Sequence, residues 1–277
     1  MITQFDNSIE NKNILWKTEH YIYIKPAEVL ASYISFYTIS FLKDGGIPNE
    51  YGLIPDGTGV ITVYLDQKGM HSKLWGTTTK INYLGTQVNE ISFILLIEFR
   101  HEGLFHLMQM DQTELTDRII SLDCFCSRLK TELFELAEGA ESLKELVDGL
   151  NRLLYQRIIG KKRNYLSSES VIQSLIESGG MVTSKELEER EYYSYRHLNR
   201  IFSRQVGMSI KSFAKLVRVN RAVRKLSCSA GQITEIAHDC GYYDQSHFIK
   251  DFKSICNTSP AEYIKNMSCF YNETLKY

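Results

Sequence analysis

The chain has 277 residues, 43% of them hydrophobic and 23% charged, enough for roughly two domains with a core in each. The opening stretch MITQFDNSIENKNI lacks the basic and apolar regions of a secretion signal, and the longest apolar run, ISFILLIEF, is too short to span a bilayer. The net charge of −1 hides a split: residues 1–160 hold 14 basic and 21 acidic side chains, residues 161–277 hold 18 and 12, and the window 192–225 has nine basic residues and no acidic one. A basic half of this kind suits a polyanionic partner. The six cysteines (124, 126, 228, 240, 256 and 269) form no C-x-x-C pair. Scattered thiols fit a reducing cytoplasm, and no cofactor, metal or membrane association is expected.

Up to about residue 100 the pattern is strand-like. YIYIKP, YISFYTISFL, GVITVYLD, SKLWGTTTKINYL and ISFILLIEF are separated by turn signals such as Lys43-Asp44-Gly45-Gly46 and Pro55-Asp56-Gly57. Short strands so punctuated predict a small β-barrel or sandwich. From about residue 111 the period changes. TELTDRIISL and CFCSRLKTELFELA read as helices, AEGAES interrupts, and LKELVDGLNRLLYQRI carries Leu143, Leu146, Val147, Leu150, Leu153, Leu154 and Ile158 at helical spacing. That stripe reads either as intramolecular core or as the seam of a homodimer. GKKRNYLSSES (160–170) is the expected linker, dividing the chain into 1–160 and 161–277.

The second half reads as short helices. Thr183 and Glu186 have capping-box spacing, and Ser259-Pro260 opens another helix. A repeat stands out. SYRHLNRIF (194–202) and DQSHFIKDF (244–252) align at an offset that pairs His197 with His247, Leu198 with Phe248, Arg200 with Lys250 and Phe202 with Phe252. On a helix, Leu198, Ile201 and Phe202 share one face and Arg196, Arg200 and Ser203 the other; in the second copy Phe248, Phe252 and Ile255 oppose Ser246, Lys250 and Lys253. A small residue and a glycine, Ala237-x-x-x-Gly241, precede the second copy, which is the logic of a helix-turn-helix. Two such units joined by one long helix would set two recognition helices in successive major grooves, about 34 Å apart.

These motifs, with Arg218-x-x-x-Ala222, IAHDCGYYDQSHFIKDFK and SPAEYIK, make the stretch from about 168 to 265 resemble the DNA-binding domain of the AraC/XylS family of transcription regulators. Three positions depart from the family pattern: Glu188 stands where a small residue is usual, Tyr192 where glycine is common, and Asn257 in place of a glycine that ends the second recognition helix. The resemblance implies base-reading side chains at Arg196, Asn199 and Arg200 in the first motif and Gln245, Ser246 and Lys250 in the second. Arg can grip guanine and Asn or Gln adenine. Arg204, Lys211 and Lys253 fall to phosphate contacts, and His197 and His247 to packing. LIPDGTGVITVYL, IEFRHEGLFHLMQM and ELTDRIISL resemble a sensor domain found on some of these regulators. The whole then predicts an α+β chain: a β-barrel-like (cupin-like) N-terminal domain with a helical hairpin, and an all-α C-terminal domain with two helix-turn-helix motifs. The partners implied are double-stranded DNA, RNA polymerase, an unidentified small-molecule effector and a second copy of the chain.

Other classes fit less well. His71, His101 and His106 lack the spacing of a metal site. Alkyl-accepting repair domains fused to such modules need a four-cysteine zinc cluster, and the N-terminal half has only Cys124 and Cys126. Neither a nucleophile elbow nor a phosphate loop occurs, so no enzyme is expected. A helical interaction module that does not bind DNA is the alternative.

Overall fold

A computed structural model describes residues 2–41, 51–159, 166–228, 232–267 and 270–271 of the chain. The strands are β1 (Ile14–Lys17), β2 (Tyr21–Ile24), β3 (Ile34–Ser40), β4 (Tyr51–Leu53), β5 (Val60–Asp66), β6 (Gly69–Trp75), β7 (Asn82–Leu84), β8 (Phe93–Phe99), β9 (Ile119–Ser121) and β10 (Phe270–Tyr271). Among the described residues they form a seven-stranded antiparallel sheet, ordered β1-β2-β3-β8-β5-β6-β9, and a three-stranded one, β10-β4-β7. The expected barrel is therefore corrected: the large sheet stays open, with β1 and β9 as its edges. Closure is not needed to bury its apolar face, because two long helices cover it. These are α2 (Asp123–Gly139) and α3 (Leu143–Ile158), which follow the short α1 (Gly103–Met108). Ile22, Ile39, Ile61, Val63, Leu95 and Ile97 of the sheet share one core with Leu129, Leu133 and the α3 stripe.

The α3 stripe is thus core, not a dimer seam: Leu143, Leu146, Leu150 and Leu154 are fully buried within the chain, and Leu153 packs on the same cluster. Ser142 caps the helix by accepting from the Glu145 N–H at 3.2 Å. Arg157 staples the hairpin through Glu132, with its Nε 3.1 Å from Oε2. TELTDRIISL is not helical. It makes a 3-10 turn over Gln112–Glu114 and then β9, because Asp111 accepts from the Thr113 N–H and Asp117 turns the backbone left-handed at φ 55°. The Pro55-Asp56-Gly57 turn forms as expected, with Gly57 at φ 79° and Asp56 accepting from Thr58. The turn expected at Lys43–Gly46 and the linker residues 160–165, with the domain boundary in them, lie outside the described residues.

The C-terminal half comprises α4 (Glu169–Glu177), α5 (Ser184–Glu191), α6 (Tyr195–Val206), α7 (Ile210–Cys228), α8 (Ile233–Asp239), α9 (Gln245–Cys256) and α10 (Pro260–Lys265). The expected capping box Thr183–Glu186 is present, and Ser259, expected as the cap ahead of Pro260, forms a second one with Glu262. Its core is built on α7, with Phe213, Leu216, Val219, Ala222 and Val223 buried against Phe202, Phe248 and Phe252. The halves are joined. Ile54 and Ile81 of the first lie in the core of the second, and β10 returns to pair in parallel with β4. No helix among the described residues is long and apolar enough to cross a membrane.

Candidate nucleic-acid interface

The recognition helices of the repeat are α6 and α9, and the repeat extends to their ends. Ser194 and Asp244 cap them, accepting from the backbone N–H of His197 and His247 at 3.4 and 2.7 Å. Each such cap satisfies one of the N–H groups a helix start leaves open. Both helices end on a left-handed residue, Gly207 at φ 91° and Asn257 at φ 54°. Asparagine thus takes the left-handed terminating position at which the family pattern has glycine. Leu198 and Phe202, and Phe248 and Phe252, are buried and hold the helices to α7. Arg196, Arg200, Gln245, Ser246, Lys250 and Lys253 are exposed on the outer faces. His197 stacks on Tyr193 at 5.0 Å, and His247 meets the edge of Tyr242 and lies 3.6 Å from Asp251. Both histidines pack, as expected.

Two expected contacts are placed differently. The Asn199 Oδ1 accepts from the Ile210 N–H at 2.9 Å, capping α7 from the flank of α6. That bond to a part-buried backbone N–H fixes the Asn199 side chain to the start of α7, whereas the Gln245 Oε1 accepts from the exposed Thr234 hydroxyl, at 3.2 Å. Arg204 is exposed, but its guanidinium lies 5.9 Å over the Phe105 ring of the N-terminal half. Lys211 is exposed at the start of α7.

The helix before each recognition helix is held by different chemistry. In the second motif Ala237 is fully buried and Gly241 adopts φ 79°; a Cβ there would meet Met181 Sδ at 2.5 Å. Backbone bonds from Cys240 and Tyr242 to the Ala237 carbonyl close the turn. In the first motif Tyr192 takes the left-handed position at φ 59°. Glu188, where a small residue was expected, reaches across the turn and accepts from the Tyr195 N–H at 2.6 Å. A carboxylate at the start of α6 also complements the helix dipole.

Arg218, midway along α7, ties the motifs together. Its Nη1 donates to the Gly180 carbonyl at 2.7 Å before α5, its Nη2 lies 3.9 Å from Asp251 on α9, and its guanidinium stands 5.3 Å over Tyr242. Burial pushes the Tyr242 hydroxyl well above its ordinary pKa, and the Asp251 carboxylate pushes the same way. The tyrosine therefore stays neutral beneath that cation.

Tyr192 and Tyr243, which the sequence did not mark as interface residues, are 90% and 91% exposed in the two turns, beside the recognition helices. The repeat register pairs them, setting Tyr192-Tyr193 against Tyr242-Tyr243. The histidines share no site. His71 bonds Asp66 at 2.9 Å, His101 meets the edge of Phe213, and His106 packs on Tyr33. No group of three metal-binding side chains occurs among the described residues.

A helix-turn-helix domain family matches residues 187–266. An uncharacterised helix-turn-helix transcriptional regulator from Haemophilus influenzae is 34% identical over 84 residues, 30% of this chain and 28% of that protein. The transcriptional activator RhaS of Pectobacterium carotovorum is 28% identical over 159 residues, 57% of this chain and 51% of the activator. The chain thus spans about half the length of RhaS and under a third of the Haemophilus protein. A crystal structure of ToxT from Vibrio cholerae covers 85% of this chain and 98% of its own at 14% identity, with a TM-score of 0.40. Residues 187–266 thus form a helix-turn-helix domain of the AraC/XylS type, the part of the chain shared with these transcription regulators.

Proposed function

We propose that this chain is a sequence-specific DNA-binding regulator of transcription, acting in the cytoplasm, that lays α6 and α9 into successive major grooves of one duplex. The observation that carries this reading is the exposed pair of basic and amide-bearing faces, repeated with matched caps on either side of α7. Arg196 and Arg200 in the first motif, and Gln245, Ser246 and Lys250 in the second, are assigned to base edges. Lys211 and Lys253 are assigned to phosphates, joined by the hydroxyls of Tyr192 and Tyr243. Asn199 becomes a positioning residue that fixes α6 to α7, and Arg204 a contact between the two halves. The relatives' role as activators supports the same role here, with RNA polymerase as partner. The N-terminal domain, bounded at 160/161, is assigned to sensing an effector.

Gln245→Ala tests the reading. Affinity for a selected site should fall by about 1–3 kcal/mol while random-DNA affinity stays level. Both affinities should decline with salt, as phosphate contacts require. Equal loss on selected and random DNA would move Gln245 to the phosphate-contact class, and salt-independent binding would remove the DNA reading itself.

A further inference from the structure

A helix ends with carbonyls that lack partners in the helix. Those of both recognition helices are met by the same five-residue loop of the N-terminal domain. The Thr77 hydroxyl donates to the Val206 carbonyl at the end of α6, at 2.7 Å, and the Ile81 N–H donates to the Ile255 carbonyl near the end of α9, at 2.8 Å. Thr116 adds a second bond on the α6 side, from its hydroxyl to the Gly207 carbonyl at 2.5 Å. Gly207 lets the loops come this close, since a Cβ there would meet Thr116, Gln112 and Thr77 within 3.0 to 3.2 Å.

The loop is itself braced. Asp117 accepts from both the N–H and the hydroxyl of Thr79, each at 2.7 Å, and its own N–H donates to the Thr77 carbonyl at 2.9 Å. Thr77 is 2% exposed and Ile81 sits in the C-terminal core, so neither bond competes freely with water. Four residue steps reach about 14 Å at full extension, which confines the two helix ends to within roughly 20 Å of each other. Helices that converge so closely can reach grooves about 34 Å apart only by opening toward their N-terminal halves. The side chains assigned to base edges lie in those halves.

We propose that the Thr77–Ile81 loop is a spacing gauge. It holds the C-terminal ends of both recognition helices, and so sets the separation of the half-sites the chain accepts. The proposal rests on the two-groove reading above, and makes Thr77, Ile81 and Thr116 positioning residues that touch no DNA.

The test has two arms on the full-length chain. In the first, without DNA, pulsed electron paramagnetic resonance measures the distance between spin labels at positions 196 and 246, with the accessible native cysteines replaced by serine. The double variant Thr77→Val with Thr116→Val keeps side-chain volume and removes both hydroxyls, and should broaden a narrow distribution. Thr77→Ser, which retains its hydroxyl, should leave the distribution narrow. Should the double variant fail to fold, Asp117→Ala loosens the loop without touching either helix and should broaden it likewise. In the second arm, sites are selected from random duplexes. The wild type should return paired half-sites at one spacing. The double variant should return the same half-sites at several spacings, with affinity for the wild-type spacing reduced roughly tenfold, about 1.4 kcal/mol. An unchanged distribution and an unchanged spacing in a folded variant would overturn the gauge. Broadening in the first arm, with no motif selected by the wild type in the second, would overturn the two-groove reading and with it the gauge's role on DNA.

Discussion

In the second helix-turn-helix motif the turn is made by small residues: Ala237 is buried at the helix crossing and Gly241 takes φ 79° beside Met181. In the first, the same turn is made by Glu188 and Tyr192. The carboxylate bonds the Tyr195 N–H, and the tyrosine adopts φ 59° with its ring in solvent. Downstream the motifs agree again, in cap, aromatic anchor and left-handed terminator. One backbone geometry is thus reached by two chemistries. The second excludes side chains from a close approach; the first accepts backbone strain and offsets it with a charge-assisted hydrogen bond.

The largest expected effect tests where the motifs agree. Phe202→Ala and Phe252→Ala, each removing a fully buried ring, should each destabilise the C-terminal domain by about 3–5 kcal/mol in denaturant unfolding. A small loss at Phe202 alone would mean that the first motif is not packed like the second. The next effect tests the turns and carries opposite signs. Gly241→Ala should cost about 1–3 kcal/mol, from positive φ and the clash with Met181. Tyr192→Gly should raise stability by up to about 1 kcal/mol, since glycine removes the left-handed strain but loses more chain entropy on folding. Smaller again, Glu188→Ala should cost about 1 kcal/mol while Glu188→Gln, still an acceptor, should cost less. Equal losses for the two would deny Glu188 its role at the Tyr195 N–H.

The smallest effect comes from the two capping boxes, on α5 and α10, and follows pH. Bonds from the N–H and hydroxyl of Thr183 hold the Glu186 carboxyl below the ordinary carboxylate range, and those of Ser259, with the Thr258 hydroxyl, do the same for Glu262. A depressed carboxyl contributes stability above its unfolded pKa and loses it as pH falls through the folded one. Melting temperature should therefore drop slightly on acidification below about pH 4.5, and Glu186→Gln with Glu262→Gln should flatten that part of the profile. An unaltered profile in the double variant would assign the acid loss elsewhere.

The same contrast explains what was legible in the sequence. Periodicity marked α3 and the recognition helices, because their apolar stripes and caps are local. Gly241 and Ala237 announced the second turn, since only small residues fit there. The first turn gave no such signal: Glu188 acts through a backbone N–H seven residues on, and a carboxylate's reach is not written in its neighbours. TELTDRIISL misled for a related reason. Its apolar spacing suits a helix, yet β6 offered Ile119 and Ile120 a strand to pair with, and Asp117 broke the run. Asn199 and Arg204 had the right chemistry for DNA, and only the fold reveals that α7 and Phe105 engage them. The Thr77–Ile81 loop was invisible, because its partners lie far along the chain.

On the proposed function the two recognition helices read different halves of one site. Selection from random duplexes with the wild type, Arg196→Ala and Lys250→Ala tests it most directly. Two half-sites about 10–10.5 base pairs apart should emerge, with Arg196→Ala erasing sequence information in one half and Lys250→Ala in the other. Both substitutions degrading the same half, or a wild-type motif confined to a single half-site, would contradict it.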